Sequence, residues 1–318
     1  MRSPLNKRLF RELRGEFGKY LVIFILMTLT IGMVSGFLVA DGSMIQAYEE
    51  SFEKYNIENG HFRTEKKMNN AQIQDIEDLG IKLYENYYVE EALTNGSTMR
   101  IFKNRDEVNK VCLMKGKMPE KPGEIGIDRM YADNNDLSVG DEIESGGYTW
   151  KITGLVALSD YSALFSNNND SMFDSVKFGV SVVCPEEFDS YKADQLNYSY
   201  AWKYNIEPKN EKAEKDISED LMEDVAKEVT LEEFVPRYTN QAIIFTGDDM
   251  GGDRSMMIVL LYIIIVIMAF VFAITTSNTI RKEANVIGTL RASGYTRGEL
   301  IRHYMAAPVF VTFIGAII

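Results

Sequence analysis

The sequence predicts a membrane protein in which α-helical spans carry a mixed α+β extracytoplasmic domain. The first part of this fold class follows from two runs without charged residues, 20 residues at positions 21–40 and 25 residues at positions 256–280. A hydrocarbon layer about 30 Å thick needs about 20 apolar residues of helix. The 215 residues between the runs mix helical and alternating apolar patterns, which predicts the second part. A chain that is soluble throughout is excluded.

The charges of the three regions predict how the chain is oriented. Residues 1–40 carry six Lys/Arg and two acids, and residues 256–318 carry five Lys/Arg and two acids. Residues 41–255 carry 23 Lys/Arg and 43 acids. Short basic flanks stay in the cytoplasm, whereas long domains cross the membrane regardless of their charge. We therefore expect a plasma-membrane protein with a cytoplasmic N-terminus and an extracytoplasmic domain at 41–255.

The same patterns divide the chain into six segments. These are a cytoplasmic amphipathic segment (1–19), a first transmembrane helix (20–40), the extracytoplasmic α+β domain (41–255), a second transmembrane helix (256–280), a cytoplasmic helix–turn–helix (281–303) and the start of a third transmembrane helix (304–318). Because the third apolar run is cut short, we expect a fragment, a truncated product or one half of a longer protein.

The start of the chain allows two interpretations. Leu5, Leu9, Leu13 and Phe17 recur every four residues among basic residues, which predicts an amphipathic helix at the inner membrane surface. A cleaved signal peptide is the alternative. It is disfavoured because the basic region is 19 residues long and residues 38–40 are not a small-x-small cleavage site.

Two glycines in the first span are candidates for helix packing. Gly32 and Gly36 form a G-x-x-x-G pattern. Small residues at this spacing let a second helix approach closely. Two glycines in a lipid-facing helix are the equally good alternative.

The outer domain alternates between helical and strand patterns. Met44, Tyr48, Phe52 and Tyr55 keep helical spacing after the first span, so this helix is expected to extend several turns beyond the membrane. Further helices are predicted at 68–79, at 129–134 after an Asp128 cap, from Pro185, and along 217–229. Strands are predicted at 81–93, 98–103, 110–114, 148–158, 176–183 and 198–206.

Candidate chemical groups are few. The chain has two histidines, and the predicted topology places His61 outside and His303 inside, so that only His61 can serve as a base in the outer domain. No catalytic residue, cofactor site or metal site is predicted, and no phosphate-binding loop is present. Nucleic-acid binding is disfavoured because the large domain is acidic. Cys112 and Cys184 either pair or stay free, since two thiols carry no spacing signature.

The inner loop at 281–304 has the sequence features of an ordered structural element. A helix can continue from the second span through residues 286–290, and Gly294 can end it in a left-handed conformation. Thr296 and Glu299 then form a capping-box pattern that starts the next helix. The prediction is helix, tight turn and helix at the inner membrane surface, with a plain loop as the alternative.

These residues resemble the cytoplasmic loop of FtsX-like/MacB-like ABC transporter permeases. The matching positions are Arg281, Lys282, Glu283, Ile287, Leu290, Arg291, Ala292 and Gly294. The outer domain is similar to the MacB-like periplasmic core domain through Gly116-x-x-Pro119, Gly123-Glu124-Ile125, Asp128, Ala132, Leu137-x-Val139-Gly140-Asp141 and Lys151-Ile152-x-Gly154. The chain departs from the family early in the third apolar run, where Met305, Ala306 and Ala307 stand in place of a common Glu.

The resemblance, which covers nearly the whole chain, implies a function. It implies a permease subunit of the mechanotransmission type, which couples ATP hydrolysis in a separate cytoplasmic ABC ATPase to movement of the extracytoplasmic domain, for export of a lipoprotein, peptide or drug. The residues implied in ATPase coupling are Arg281, Lys282, Glu283, Ile287, Leu290, Arg291 and Gly294. The chain itself is not expected to be an enzyme.

The resemblance also implies partners. They are the ATPase subunit, a second permease copy or homologous permease, an extracytoplasmic protein or peptide cargo, and membrane lipid. The alternative function is a membrane-anchored regulator of a cell-wall hydrolase, or a sensor of peptide antibiotics, without export. An anchored extracytoplasmic enzyme that uses His61 is a third hypothesis.

Overall fold

The computed structural model describes residue 11 and residues 14–317, and the chain divides into two compact units. One unit is helical and comprises the described residues up to Ile45 together with those from Met250 onward. The other is an α/β unit, Gln46–Asp249. The predicted amphipathic positions Leu5, Leu9 and Leu13 lie outside the described residues.

The elements follow one another along the chain. The helices are α1 (Phe17–Lys54), α2 (Asn70–Glu77), α3 (Arg129–Asn134), α4 (Pro185–Phe188), α5 (Glu211–Glu228), α6 (Gln241–Lys282), α7 (Ala284–Ala292) and α8 (Arg297–Ile317). The strands are β1 (Gly60–Thr64), β2 (Ile81–Glu85), β3 (Tyr88–Ala92), β4 (Thr98–Lys103), β5 (Val111–Gly116), β6 (Glu124–Asp128), β7 (Glu142–Ser145), β8 (Tyr148–Leu158), β9 (Phe178–Val183), β10 (Tyr198–Tyr204) and β11 (Leu231–Pro236).

Two helices of the described chain, α1 and α6, are long and apolar enough to cross a membrane by length and composition. Most of their large apolar side chains are exposed, such as Leu29 and Ile263. A helix that is apolar on all sides needs an apolar environment around it. The predicted extension of the first helix beyond Met44 is confirmed, because α1 continues to Lys54.

The α/β unit contains two sheets. In the four-stranded sheet the order is β11-β1-β10-β2, and all neighbours are antiparallel. In the larger sheet the order is β3-β4-β9-β6-β8-β5, with β7 also paired to β8. This second sheet is mixed, because β4 runs parallel to β9 and β6 runs parallel to β8. The expected mixed α+β class is confirmed.

The four-stranded sheet has one apolar face and one polar face. Phe62, Trp202 and Phe234 stack on the apolar face, with 4.8 Å between the ring centroids of Trp202 and Phe234. Helices α2 and α5 contact β2 and β11 of this sheet. Because side chains alternate along a strand, His61 and Arg63 of β1 lie on the opposite face.

The larger sheet is buried on both faces at its centre. Every residue of β9 is buried, which is typical of strands covered on both sides. Helix α3 starts where Asp128 accepts hydrogen bonds from the backbone amides of Met130 and Tyr131. The predicted Asp128 cap is therefore confirmed.

Several predicted elements coincide with the structure and others differ. Residues 98–103, 129–134 and 148–158 agree residue for residue. The predicted strand at 81–93 is in fact two strands, and these belong to different sheets. Strands β1, β6, β7 and β11 were not predicted, because they are only four to six residues long and gain their order from pairing with distant strands.

Candidate functional site

The candidate site is the helix–turn–helix formed by α7 and the start of α8. The expected continuous helix from the second span through Leu290 is wrong in one respect. Glu283 leaves helical geometry with φ −101° and ψ 15°, so that α6 ends at Lys282 and α7 begins at Ala284. The carboxylate of Glu283 accepts a hydrogen bond from the hydroxyl of Tyr304 in α8. This contact joins the beginning of α7 to α8.

The turn after α7 is a Schellman motif. Gly294 has φ +95°, the left-handed conformation expected from the sequence. The amide of Tyr295 donates to the carbonyl of Leu290 at 3.2 Å, and the amide of Gly294 donates to that of Arg291 at 3.1 Å. These two hydrogen bonds satisfy backbone carbonyls that would otherwise have no donor at the end of the helix. The predicted role of Gly294 as a helix terminator is confirmed.

The second helix starts with the predicted capping box. The amide of Thr296 donates to Glu299 Oε2 at 2.8 Å, and the amide of Glu299 donates to Thr296 Oγ1 at 3.3 Å. Hydrogen bonds from the backbone amide and the hydroxyl of Thr296 lower the pKa of Glu299. The lowered pKa favours the carboxylate form, whose oxygen accepts from both the amide and the hydroxyl of Thr296.

The surface around α7 is basic with a partly covered apolar side. Arg281, Lys282 and Arg291 are exposed, and within the described residues none of them forms an ion pair. Ile287 and Leu290 are half-buried and lie three residues apart, on one side of the helix. The structure thus places six of the seven predicted coupling residues on or beside α7, with Gly294 in the turn that follows.

The helical unit brings the two basic flanks together. Lys19 Nζ donates to Thr279 Oγ1 at 2.9 Å and also pairs with Glu16 at 2.8 Å. The start of α1 therefore lies beside the end of α6.

The glycine that packs two helices within this unit is not one that the sequence indicated. A Cβ on Gly315 would lie 2.3 Å from Met27 Cε and 3.4 Å from Thr28 Oγ1. A Cβ on Gly32 or Gly36 would have no described atom within 4 Å. Packing of another helix at Gly32 and Gly36 stays a prediction, and so does the alternative that both glycines face lipid.

The candidate chemical groups of the outer domain are His61, Cys112 and Cys184. His61 lies in the α/β unit, where its Nδ1 is 2.6 Å from Glu58 Oε1. Cys112 and Cys184 are free. Among the described residues, no three His, Cys, Asp or Glu side chains are grouped so that they could hold a metal ion.

Comparison with known proteins adds one family and two structures. The family described as FtsX-like permease C-terminal matches residues 258–318. The periplasmic region of MacB from Actinobacillus actinomycetemcomitans is 11% identical, with a TM-score of 0.30 over 54% of this chain and 85% of that one. The extracellular domain of the noncanonic ABC-type transporter YknZ from Gram-positive bacteria is 11% identical, with a TM-score of 0.27 over 55% of this chain and 98% of that one.

No curated protein matches the sequence. The family match spans the end of α6, the whole helix–turn–helix and the described part of α8. The resemblance to the FtsX-like permease family is therefore confirmed, on residues 258–318.

Proposed function

We propose that the chain is the permease subunit of an ABC transporter of the mechanotransmission type. In this proposal, ATP hydrolysis in a separate cytoplasmic subunit moves the extracytoplasmic domain and exports a lipoprotein, peptide or drug. The observation that carries the proposal is the helix α7, which is fixed at both ends and presents the exposed Arg291, with the exposed Arg281 and Lys282 directly before it. Its place inside the FtsX-like segment supports the assignment.

The stiffness of α7 supports a role in transmitting force. A nine-residue helix is marginal by itself, since isolated helices shorter than about 12–15 residues are barely stable in water. Here the bond from Tyr304 to Glu283 holds its beginning, and the turn at Gly294 holds its end. An element held in this way shifts as a unit when it is pushed, whereas a flexible loop absorbs the displacement.

The surface of α7 indicates the chemistry of its partner. Arg281 and Arg291 offer exposed guanidinium groups, and Ile287 offers a partly open apolar side chain. A groove on the ATPase with an apolar floor and an acidic rim complements these groups. Helices α1 and α6 each contain residues of both units. We therefore expect a displacement of α7 to reach the extracytoplasmic domain through them.

Replacing Gly294 with valine is expected to weaken ATPase binding by roughly tenfold. A residue with a side chain loses about 1–2 kcal/mol in the left-handed conformation. β-Branched residues such as valine are among those that tolerate this conformation least. We therefore expect the substitution to displace the turn after α7. The measurement is the amount of a co-expressed ABC ATPase subunit that co-purifies with the full chain from detergent-solubilised membranes. Gly252→Val is the matched control, because Gly252 is helical, lies outside the helix–turn–helix, and a Cβ there has no described atom within 4 Å. Equal co-purification of both variants would count against docking at α7.

Replacing Glu283 with lysine is expected to reduce co-purification as well. The change removes the acceptor of the Tyr304 hydrogen bond and places a second ammonium group beside Lys282. Glu283→Gln is the control, since its amide oxygen can still accept from Tyr304. A loss with lysine and near-normal binding with glutamine is the expected pair of results. If the two variants bind alike, the contact does not position α7.

A further inference from the structure

A groove of about 1000 Å³ lies within the helical unit, between α6 and α8. Its wall on α6 runs from Ala269 to Arg281, and its wall on α8 runs from Met305 to Phe313. Most of the side chains that line it are apolar. Ligand sites typically measure about 300–1,000 Å³, so the groove has the size of a site for an apolar ligand.

The polar side chains on the α6 wall gather at one end of the groove. Arg281 stands at this end, with Ser277 and Thr276 about one helical turn before it. Within the described chain, none of these three side chains forms a hydrogen bond or an ion pair. The hydroxyl of Thr312 on the α8 wall, by contrast, already donates to the carbonyl of Pro308 at 2.9 Å. The groove therefore offers one free cation and two free hydroxyls on an otherwise apolar wall.

The order of these groups along α6 matches the order of groups in a phospholipid. Positions 269, 273, 277 and 281 recur every four residues and form one row along the helix. From Arg281 the row passes through a hydroxyl to two alanines, as a phospholipid passes from its phosphate through its glycerol esters to its acyl chains. The row extends about 18 Å along the helix axis, and one leaflet of the hydrocarbon layer is about 15 Å deep. An acyl chain that ends at the middle of the membrane therefore fits along it.

The charge at the mouth of the groove favours an anionic headgroup. Arg281 and the next residue, Lys282, are both exposed, and no described carboxylate pairs with either of them. Glu283 follows, but its carboxylate accepts from the hydroxyl of Tyr304. A headgroup with a net negative charge compensates the two cations, whereas the ammonium group of a zwitterionic headgroup is repelled by them.

A helix from a second copy of the chain is the other occupant that the groove has room for. It would fill the apolar part, but the three uncharged runs of this chain contain no carboxylate for Arg281. The guanidinium would then stand beside an apolar helix without a counter-charge, which is costly next to hydrocarbon. A phospholipid supplies both the apolar filling and the anion, so it complements the groove better.

We propose that the groove between α6 and α8 binds one anionic phospholipid. The guanidinium of Arg281 binds the phosphate, the hydroxyls of Thr276 and Ser277 donate to the ester carbonyls, and an acyl chain lies along Ala273 and Ala269. Unlike the lipid that surrounds any membrane-spanning helix, this molecule is selected by its headgroup.

The lipid site is separate from the proposed transport function. Arg281 also belongs to the surface proposed for the ATPase, whereas Arg291 and Ile287 lie outside the groove lining. The test therefore uses the full chain without any ATPase. A failure of lipid binding leaves ATPase docking at α7 untouched, and a failure of docking leaves the lipid site untouched.

The test compares two phospholipids that differ only in the headgroup. Phosphatidylglycerol and phosphatidylcholine with identical acyl chains are titrated into the full chain in detergent micelles, and native mass spectrometry counts the bound molecules. We expect one phosphatidylglycerol to bind roughly tenfold more tightly than phosphatidylcholine, because only the second carries an ammonium group toward Arg281 and Lys282. Equal binding of the two lipids would overturn the proposal, and so would a dimer without bound lipid, which points to the second copy as occupant.

A first pair of variants tests the phosphate contact. Arg281→Ala is expected to weaken binding of phosphatidylglycerol by roughly tenfold or more, because a charge-assisted hydrogen bond is lost. Arg254→Ala is the matched control, since Arg254 is an exposed arginine at the other end of the same apolar run and lies outside the groove lining. Equal affinity of these two variants for phosphatidylglycerol would refute the role of Arg281.

A second pair of variants tests the acyl-chain contact. Ala273→Phe places a ring in the groove and is expected to weaken binding of phosphatidylglycerol by roughly tenfold. Val266→Phe adds a ring at an exposed position of the same helix outside the lining, and binding is expected to stay unchanged. Both positions are exposed, so neither variant is expected to disturb the fold of the helical unit. If Ala273→Phe binds the lipid as tightly as Val266→Phe, the acyl chain does not lie in the groove and the proposal is wrong.

Discussion

Replacing Arg105 with alanine is expected to lower the free energy of unfolding of the α/β unit by about 3–5 kcal/mol. Arg105 forms a two-pronged ion pair with Asp160, with both N–O distances at 2.7 Å. The side chains are only 7% and 5% exposed. The guanidinium also donates to Asn86 at 2.8 Å and lies 4.6 Å from the Phe102 ring centroid. Without it, Asp160 is a buried charge with no counter-charge.

The stability of the Arg105→Ala variant is expected to change with pH in a defined direction. Burial raises the pKa of Asp160, and Arg105 lowers it. When Arg105 is absent, the raised pKa of the folded state lies above that of the unfolded chain. The folded state then binds the proton more tightly, so stability is gained as the pH falls and lost as it rises. The destabilisation should therefore be smaller near pH 5 than near pH 8.

Tryptophan fluorescence during denaturant unfolding measures this effect. The chain has two tryptophans, Trp150 and Trp202, and both lie buried in the α/β unit. Their signal reports on this unit when the full chain is unfolded in detergent. The control is Arg129→Ala, which removes an exposed pair worth about 0–1 kcal/mol. Similar losses in the two variants would show that burial of the Arg105 pair does not govern stability.

Replacing Gly60 with alanine is expected to destabilise the α/β unit by about 3 kcal/mol, the upper end for overpacking. A Cβ at this position would lie 2.3 Å from two ring atoms of Trp202 and 2.7 Å from the carbonyl oxygen of Val235. Trp202 is fully buried and stacks on Phe234, so its ring has no room to retreat. The carbonyl belongs to the neighbouring strand β11 and cannot move without breaking the sheet.

The control for Gly60 is Gly80→Ala. Gly80 has φ +95°, and a Cβ there meets no described atom within 4 Å, so only backbone strain of about 1–2 kcal/mol is expected. Both variants add one methyl group to the same unit, and the fluorescence assay compares them directly. A loss for Gly60→Ala no larger than that for Gly80→Ala would mean that the sheet adapts around Trp202.

The turn between α7 and α8 was predictable from the sequence, because its interactions are local. The bonds that end α7 join Gly294 and Tyr295 to residues three and five positions earlier, and the cap of α8 joins Thr296 to Glu299. The Asp128 cap is equally local. Long apolar runs and helix caps depend only on residues that are close together in the sequence, so they can be predicted without the tertiary structure.

The polar face of the four-stranded sheet and the break before α7 were not predictable in this way. His61 and Arg63 meet Ser199 and Glu233 only through strand pairing across more than a hundred residues, and no spacing in the sequence records that register. Glu283 leaves the helix beside Tyr304, 21 positions later. The sequence alone determined the apolar segments, the charge asymmetry and the capped turn, because each depends only on the order of residues along the chain and not on contacts between distant residues. Tertiary structure decided which polar side chains face one another, because sheet register and helix packing bring them together from distant parts of the chain.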